Sequence, residues 1–254
     1  MSDPTKSIFS LDTSNLHPER TALFLDFDGT LAPIVEHPDA VSVPLNTMNA
    51  IAWLAKTSAL AIVTGRRIDD IDRFMSPLKL PVAGVHGLER RSADGVIHGA
   101  PISEEELKNV SEQLATFVIR NPGLILEPKR GSIALHYRQR PDLAGECAAA
   151  VAEFTASFSE LDVLPGKMVL EIKAGFATKG DAIRAFMSEV PFLGRQPFFA
   201  GDDVTDEEAF PAVSRRGGIT VRIGEGESTA MYRSSGPEQF SEWLTALAHS
   251  YSSS

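Results

Sequence analysis

Two carboxylates stand two residues apart at Asp26 and Asp28, directly after the apolar run Ala22-Leu-Phe-Leu25 and directly before Gly29 and Thr30. An apolar run of this kind reads as a strand buried on both faces of a parallel sheet, and ligands in such sheets bind beyond the strand carboxyl ends. Two acids crowded at that point repel each other and lose hydration, so they need a cation or a shared proton. The chemistry implied is a carboxylate nucleophile, a neighbouring acid/base and a divalent metal. Alone, Asp-X-Asp-Gly-Thr is also a plain strand-to-turn junction, with Asp26 as a helix cap and Asp28-Gly29 as turn formers.

Three further segments tip the reading. Ala61-Ile-Val-Thr64-Gly65-Arg66-Arg67 is a second apolar run that ends in a hydroxyl, a glycine and a base. A hydroxyl and exposed backbone N–H groups at a strand end can hold phosphate oxygens, although this is also a common strand-to-helix turn. Thr178-Lys179-Gly180-Asp181 opens a helical run. A lysine in a first helical turn faces the positive end of the macrodipole, so Lys179 reads as an anchor for an anion; a solvated surface lysine is the alternative. Phe198-Phe-Ala-Gly201-Asp202-Asp203-Val-Thr-Asp206-Glu207 again runs an apolar strand into carboxylates. Magnesium takes oxygen ligands, commonly one or two carboxylates with waters and phosphate oxygens. Asp26, the backbone carbonyl of Asp28 and Asp202 would suit it. Asp203 and Asp206 read as groups that orient waters or hold Asp202 and Lys179, and Glu207 as an acid favoured at a helix N-terminus.

Together these segments describe a phosphoryl-transfer site. Asp26 attacks phosphorus to form an aspartyl-phosphate. Magnesium and Lys179 neutralise the transferring group and Thr64 helps to hold its oxygens. Asp28 protonates the leaving oxygen and then deprotonates the attacking water.

The elements that must position these residues follow from periodicity. Strands are expected at Thr21–Phe27, Ala59–Thr64 and Pro81–Val85, with helices at Leu45–Lys56 and Ile68–Met75 between them. That βαβα rhythm predicts a parallel sheet with helices on both faces. It returns late, with a helix over Lys179–Glu189, strands at Phe198–Ala200 and Ile219–Ile223, and a helix over Pro237–Leu247.

The middle differs. Ser103 followed by Glu106 is a capping box that opens a helix of about four turns. Strands follow at Leu124–Glu127 and Ile133–Arg138 around Arg130-Gly131, then a helix over Asp142–Ser157, then strands at Leu161–Leu164 and Met168–Lys173 around a turn at Pro165-Gly166. The pattern is helix-strand-strand repeated twice. The fold class expected is α/β: a Rossmann-like parallel-sheet core over 1–101 and 174–254, with an inserted α/β cap domain over 102–173. Alternation puts Ser132, Ala134, His136 and Arg138 on one face of their strand, and Lys167, Val169, Glu171 and Lys173 on one face of theirs. A face carrying acids, bases and a histidine could cover a site.

With 254 residues and 43% hydrophobic content, the chain can bury a proper core. A net charge of -10 argues against nucleic acid as a partner and leaves any anionic substrate dependent on local positive charge. Cys147, the single cysteine, excludes a disulfide framework and reads as helical packing, as do Trp53 and Trp243. The segment Met1 to Arg20 has no apolar h-region, and no long apolar span follows. The expectation is a cytoplasmic monomer that engages no membrane and takes a small-molecule phosphate ester. Ser250 to Ser254 reads as a frayed tail.

The four motifs, at Asp26–Thr30, Thr64, Lys179 and Gly201–Asp206, resemble those of the haloacid dehalogenase superfamily of aspartate-nucleophile phosphatases. The inserted repeat is similar to its α/β cap. Within that superfamily, Asp28-Gly-Thr-Leu-Ala-Pro33-Ile34-Val, Gly84-Val-His86-Gly87-Leu-Glu89, Ala134-Leu-His136-Tyr137-Arg138 and Gly166-Lys167-Met-Val-Leu-Glu171-Ile-Lys173 resemble the trehalose-6-phosphate phosphatase family. The resemblance implies magnesium, hydrolysis of that sugar phosphate, and a grip on the disaccharide by Glu127, Lys129 and Glu171, with Lys167 and Arg138 beside them. Glu127 and Lys129 share a strand face, as do Lys167 and Glu171; cross-strand ion pairs are the plainer reading of the same residues. Arg66 and His86 are further candidate substrate contacts, with a packed histidine as the alternative for His86. A sucrose or mannosyl phosphate substrate, and a non-catalytic sugar-phosphate sensor, stand as the rival expectations.

Overall fold

The computed structural model describes residues 6–99, 104–129, 131–158, 161–175 and 177–252. The chain divides into two compact units, Met1–His98 with Thr178–Ser254, and Gly99–Ala177.

The strands of the first unit are β1 (Lys6–Ser7), β2 (Thr21–Leu25), β3 (Ala59–Val63), β4 (Val82–Gly84), β5 (Glu89–Arg91) and β6 (Ile97–Gly99), and, after the second unit, β11 (Gln196–Gly201), β12 (Ile219–Ile223) and β13 (Tyr232–Ser234). Its helices are α1 (Leu45–Thr57), α2 (Ile68–Phe74), α5 (Lys179–Phe186), α6 (Val204–Ser214) and α7 (Pro237–Ser252). The second unit holds α3 (Glu104–Arg120), β7 (Ile125–Lys129), β8 (Ser132–His136), α4 (Ala144–Thr155), β9 (Leu161–Gly166) and β10 (Val169–Ala174).

Nine strands form one sheet in the order β1-β13-β12-β11-β2-β3-β4-β5-β6. Neighbours from β1 through β4 pair parallel, and β5 joins β4 antiparallel, so the sheet is parallel at its centre and mixed at one edge. β2 is buried at all five positions, because each side of it meets a core. Leu23 and Leu25 enter one apolar cluster with α1, α2 and α7 residues such as Ile51, Leu54, Ile71, Phe240 and Leu244. Ala22 and Phe24 enter the other, with Ile183 and Phe186 of α5 and Phe210 and Val213 of α6. Burying one such side chain contributes about 1.5–3 kcal/mol, which is why a continuous apolar run here makes a strand rather than a loop. After β2 the chain builds outward through β3 and β4; β11, β12 and β13 build outward on the other side. The strand order therefore reverses between β2 and β11, the place where open α/β sheets bind ligands.

In the second unit β7, β8, β10 and β9 form an antiparallel sheet in that order. Leu107, Val110 and Leu114, spaced for one helix face, and Cys147 and Val151 of α4 pack with Ile133, Leu135, Leu170 and Ile172. Cys147 is a buried free thiol.

Several expectations are corrected. Pro165 and Gly166 are paired within β9, and the turn is Lys167-Met168, where Met168 takes φ 63°. Pro-Gly is a strong turn signal, but here the ladder to β10 extends through both residues. The last helix continues through Ser252 with Tyr251 buried, so Ser250 to Ser252 are not a frayed tail. Trp243 lies in the core, whereas Trp53 is an exposed residue of α1. α5 ends at Phe186 rather than Glu189. Ser103 and Arg130 lie outside the described residues. Among the described residues, no helix is long and apolar enough to cross a membrane.

Candidate active site

Asp26 follows β2 and Asp202 follows β11, and the two strands are tied at that end by Asp26 N donating to Ala200 O at 3.0 Å. Both carboxylates are buried, Asp26 at 4% and Asp202 at 3% exposure. Two glycines make room for them. A Cβ on Gly29, which has φ 75°, would overlap the Asp202 carboxylate, and one on Gly201 would overlap the Asp206 side chain. Asp206 can therefore fold back under the end of β11. Its Oδ2 accepts the backbone N–H groups of Asp202 and Asp203, each at 3.0 Å. Asp203 caps α6, its carboxylate accepting Val204 N at 2.8 Å.

Lys179 is the first residue of α5, behind a capping box between Thr178 and Asp181. Its buried Nζ donates to Asp26 Oδ1 at 2.6 Å and to Asp206 Oδ1 at 2.7 Å. Burial works against the Lys179 charge, but Asp206 and Asp26 outweigh it and hold the ammonium above the usual lysine range. Burial likewise pushes the Asp26 carboxyl well above the usual carboxylate range; Lys179 pulls it down, while Asp206 and Asp202 push it further up. Fully ionised, three carboxylates share this buried place with the single ammonium of Lys179.

That imbalance and the donor chemistry fit a divalent cation. Oxygens from Asp26, Asp202 and Asp206 lie within 4.8 Å of one another, and carboxylate oxygens suit a hard cation. Asp206 already commits one oxygen to Lys179 and the other to two amides, so it supports the cluster. Asp26 and Asp202 are the carboxylates best disposed to ligate.

Asp28 lies beside Arg66. Arg66 Nε and Nη2 donate to Asp28 Oδ2 and Oδ1 at 2.7 and 2.8 Å, a bidentate pair, and Nη1 donates to Pro38 O at 2.8 Å. The guanidinium also stacks over Phe74, 5.0 Å from the ring centroid. Thr64, buried at the end of β3, accepts Arg66 N on its hydroxyl at 3.1 Å. The turn Val85–Gly87 braces this loop, with Val85 N donating to Arg66 O and His86 N to Thr64 O at 3.0 and 2.9 Å. Both Val85 and His86 hold positive φ, 48° and 54°, a rare conformation for a β-branched residue. The His86 ring is buried.

In the second unit, the register places Glu127, Ala134, Glu171 and Leu164 in one cross-strand row and Lys129, Ser132, Lys173 and Asp162 two residues along, in the next row on the same face. Glu171 is buried, accepting from Ser132 Oγ at 2.7 Å and lying 3.5 Å from Lys129 Nζ. Glu127 Oε2 meets His136 Nε2 at 2.8 Å. Arg138 donates to the Lys167 carbonyl at 2.9 Å, in the exposed hairpin end. The structure thus groups Glu127, Lys129 and Glu171, and joins Arg138 to the Lys167 carbonyl.

The sequence reading quotes Glu89 and Glu207 within motifs but misses the contacts that they and Arg222 make. Glu89 of β5 accepts Ile68 N at 2.7 Å and so caps α2 from a distant strand. Arg222 and Glu207 pair at 3.3 Å beside the acid loop. None carries a local signal, because each acts on a segment remote in sequence. His136 was noted on the polar face, but its pairing with Glu127 depends on strand register.

A family model described as Trehalose-phosphatase matches residues 24–238. The chain is 42% identical over 228 residues to the trehalose-6-phosphate phosphatase of Escherichia coli (strain K12), covering 89% of this chain and 86% of that protein. A probable trehalose-phosphate phosphatase of Sinorhizobium fredii (strain NBRC 101917 / NGR234) is 42% identical over 207 residues, which is 80% of this chain and 77% of that one. Among solved structures, a trehalose-6-phosphate phosphatase related protein matches with TM-score 0.79 at 27% identity, covering 91% of this chain and 99% of that chain. With the match running from Phe24 inside β2 to Glu238 inside α7, the chain belongs to the trehalose-phosphatase family, within the haloacid dehalogenase superfamily.

Proposed function

We propose that this chain hydrolyses trehalose 6-phosphate to trehalose and inorganic phosphate by way of a phosphorylated Asp26. The reaction class rests on one observation, the buried Asp26 carboxylate at the end of β2 held 2.6 Å from Lys179. The substrate rests on the family and on relatives named as trehalose-6-phosphate phosphatases.

An Asp26 oxygen attacks phosphorus, and the bond from phosphorus to the sugar oxygen breaks. Asp28 gives that oxygen its proton. In the second half Asp28 takes a proton from water, the water oxygen attacks phosphorus, and phosphate leaves Asp26. Lys179 offsets the charge of the transferring group, and Thr64 donates its hydroxyl to a phosphate oxygen. Arg66, expected at first to touch substrate, is assigned to orienting Asp28 through its two-point grip.

Asp26, Asp202 and the Asp28 carbonyl would hold Mg2+, with Asp203 and Asp206 fixing the loop behind them. When bound, the ion supplies charge neutralisation to the phosphoryl group. Glu127, Lys129 and Glu171 are assigned to the sugar hydroxyls, with Lys167, Arg138 and His86 as further contacts. A site built on hydrogen bonds rejects substrates that lack the matching groups. The proposal places the enzyme in the cytoplasm as a monomer acting on a small molecule.

Phosphate release from trehalose 6-phosphate, sucrose, glucose and mannose phosphates, and p-nitrophenyl phosphate tests the reading, with Mg2+ and then with chelator. Strong metal-dependent preference for trehalose 6-phosphate is expected, and Glu171→Ala should erode that preference while sparing p-nitrophenyl phosphate. Equal rates on all sugar phosphates would overturn the substrate assignment, and silence on every ester would overturn the enzyme in favour of a sensor.

A further inference from the structure

We infer that Arg222 and Glu207 form a clamp that sets the metal affinity of the acid loop. Arg222 sits at the end of β12, in register with Gly201 of β11, so its side chain starts beside the point where the loop Asp202–Asp206 begins. It is buried at 8% exposure. Its Nη1 donates to the Asp203 carbonyl at 3.1 Å and to Glu207 Oε1 at 3.3 Å. The other Glu207 oxygen accepts Thr229 N at 2.9 Å and Thr229 Oγ1 at 3.2 Å.

The contact with Asp203 is the informative one. Asp203 is the N-cap of α6, and its carbonyl also accepts the N–H groups of Asp206 and Glu207. One atom therefore links Arg222 to the first turn of the helix that carries Asp206, whose carboxylate fixes Asp202 and Lys179. Arg222 Nε is buried with no acceptor among the described residues. The two Nη1 bonds, to the Asp203 carbonyl and to Glu207, are the contacts that tie this buried guanidinium to the acid loop. Charge-assisted bonds of this kind hold geometry more firmly than neutral ones, and partners of this kind behind metal ligands tune affinity. Arg222 and Glu207 are thus positioning residues. The inference rests on the reading that Asp26 and Asp202 bind a divalent cation.

The test is direct titration of the metal-free protein with Mn2+, followed by electron paramagnetic resonance, for the native chain and for Arg222→Gln, Arg222→Lys and Glu207→Gln. Arg222→Gln should weaken Mn2+ binding about tenfold, with Arg222→Lys recovering part of the loss and Glu207→Gln showing a smaller one. At saturating Mg2+ the variants should regain most of kcat. If Arg222→Gln fails to fold, Glu207→Gln decides. Folded variants that bind Mn2+ as the native chain does overturn the clamp and leave the metal site standing. A native chain that binds no Mn2+ removes the metal site, and the clamp's role with it.

Discussion

Lys179 occupies a position that helix electrostatics disfavours by about 0.3–1 kcal/mol, at the N-terminus of α5. Its burial against Asp26 and Asp206 explains why the cost is tolerated: two charge-assisted bonds meet one ammonium. Asp26 is the reverse case, a carboxylate that burial and two neighbouring acids disfavour. Removing that charge should therefore leave folding intact while removing the nucleophile. Asp26→Asn is expected to lower turnover by on the order of 10⁴-fold or more, with a metal-free Tm equal to or above that of the native chain. Phosphate release and thermal unfolding check the two halves separately. Residual activity within about a hundredfold of native would remove the nucleophile assignment.

At the scale of elements, patterned apolar segments were legible, the short β4 among them, and most of the other short strands were not. The runs that became β2, β3, β11 and β12 were readable because both faces of each are buried. The two- and three-residue strands β1, β5, β6 and β13 carry too few residues to show a period, and only the neighbouring ladder defines them. Asp26, Lys179 and Asp202 were legible as acids and a base at element ends, whereas Arg222 meets Glu207 only through the β11–β12 register. The end of α7 escaped because Ser-rich composition masked one aromatic. Burial pushes the Tyr251 phenol up to about 12 from its usual 10.0. A raised folded-state value means that its contribution is fully present below pH 10 and is lost as pH rises toward 12. That contribution is on the order of 2 kcal/mol. Tyr251→Phe should flatten the alkaline loss of stability between those values, as read from urea midpoints at pH 9 and 11.5. Identical midpoint shifts in the two proteins would mean that the phenol ionises freely in the fold.

For the whole molecule, a net charge of -10 repels a phosphate ester until it reaches the local bases. Screening should relieve that repulsion. Raising salt from about 20 to 200 mM is expected to raise kcat/KM, by less than about tenfold. A fall in initial-rate measurements would show instead that local cations govern the encounter. The strand order has a further outcome, for biosynthesis. Asp26 and Lys179 lie 153 residues apart in sequence, and β11, which flanks β2 in the finished sheet, is made later still. A chain emerging from the ribosome amino end first must carry β2 with one apolar edge unpaired, an invitation to aggregate, until β11 has been made. The yield of active protein in a cell should thus depend on chaperone cover during synthesis more than on the stability of the finished sheet.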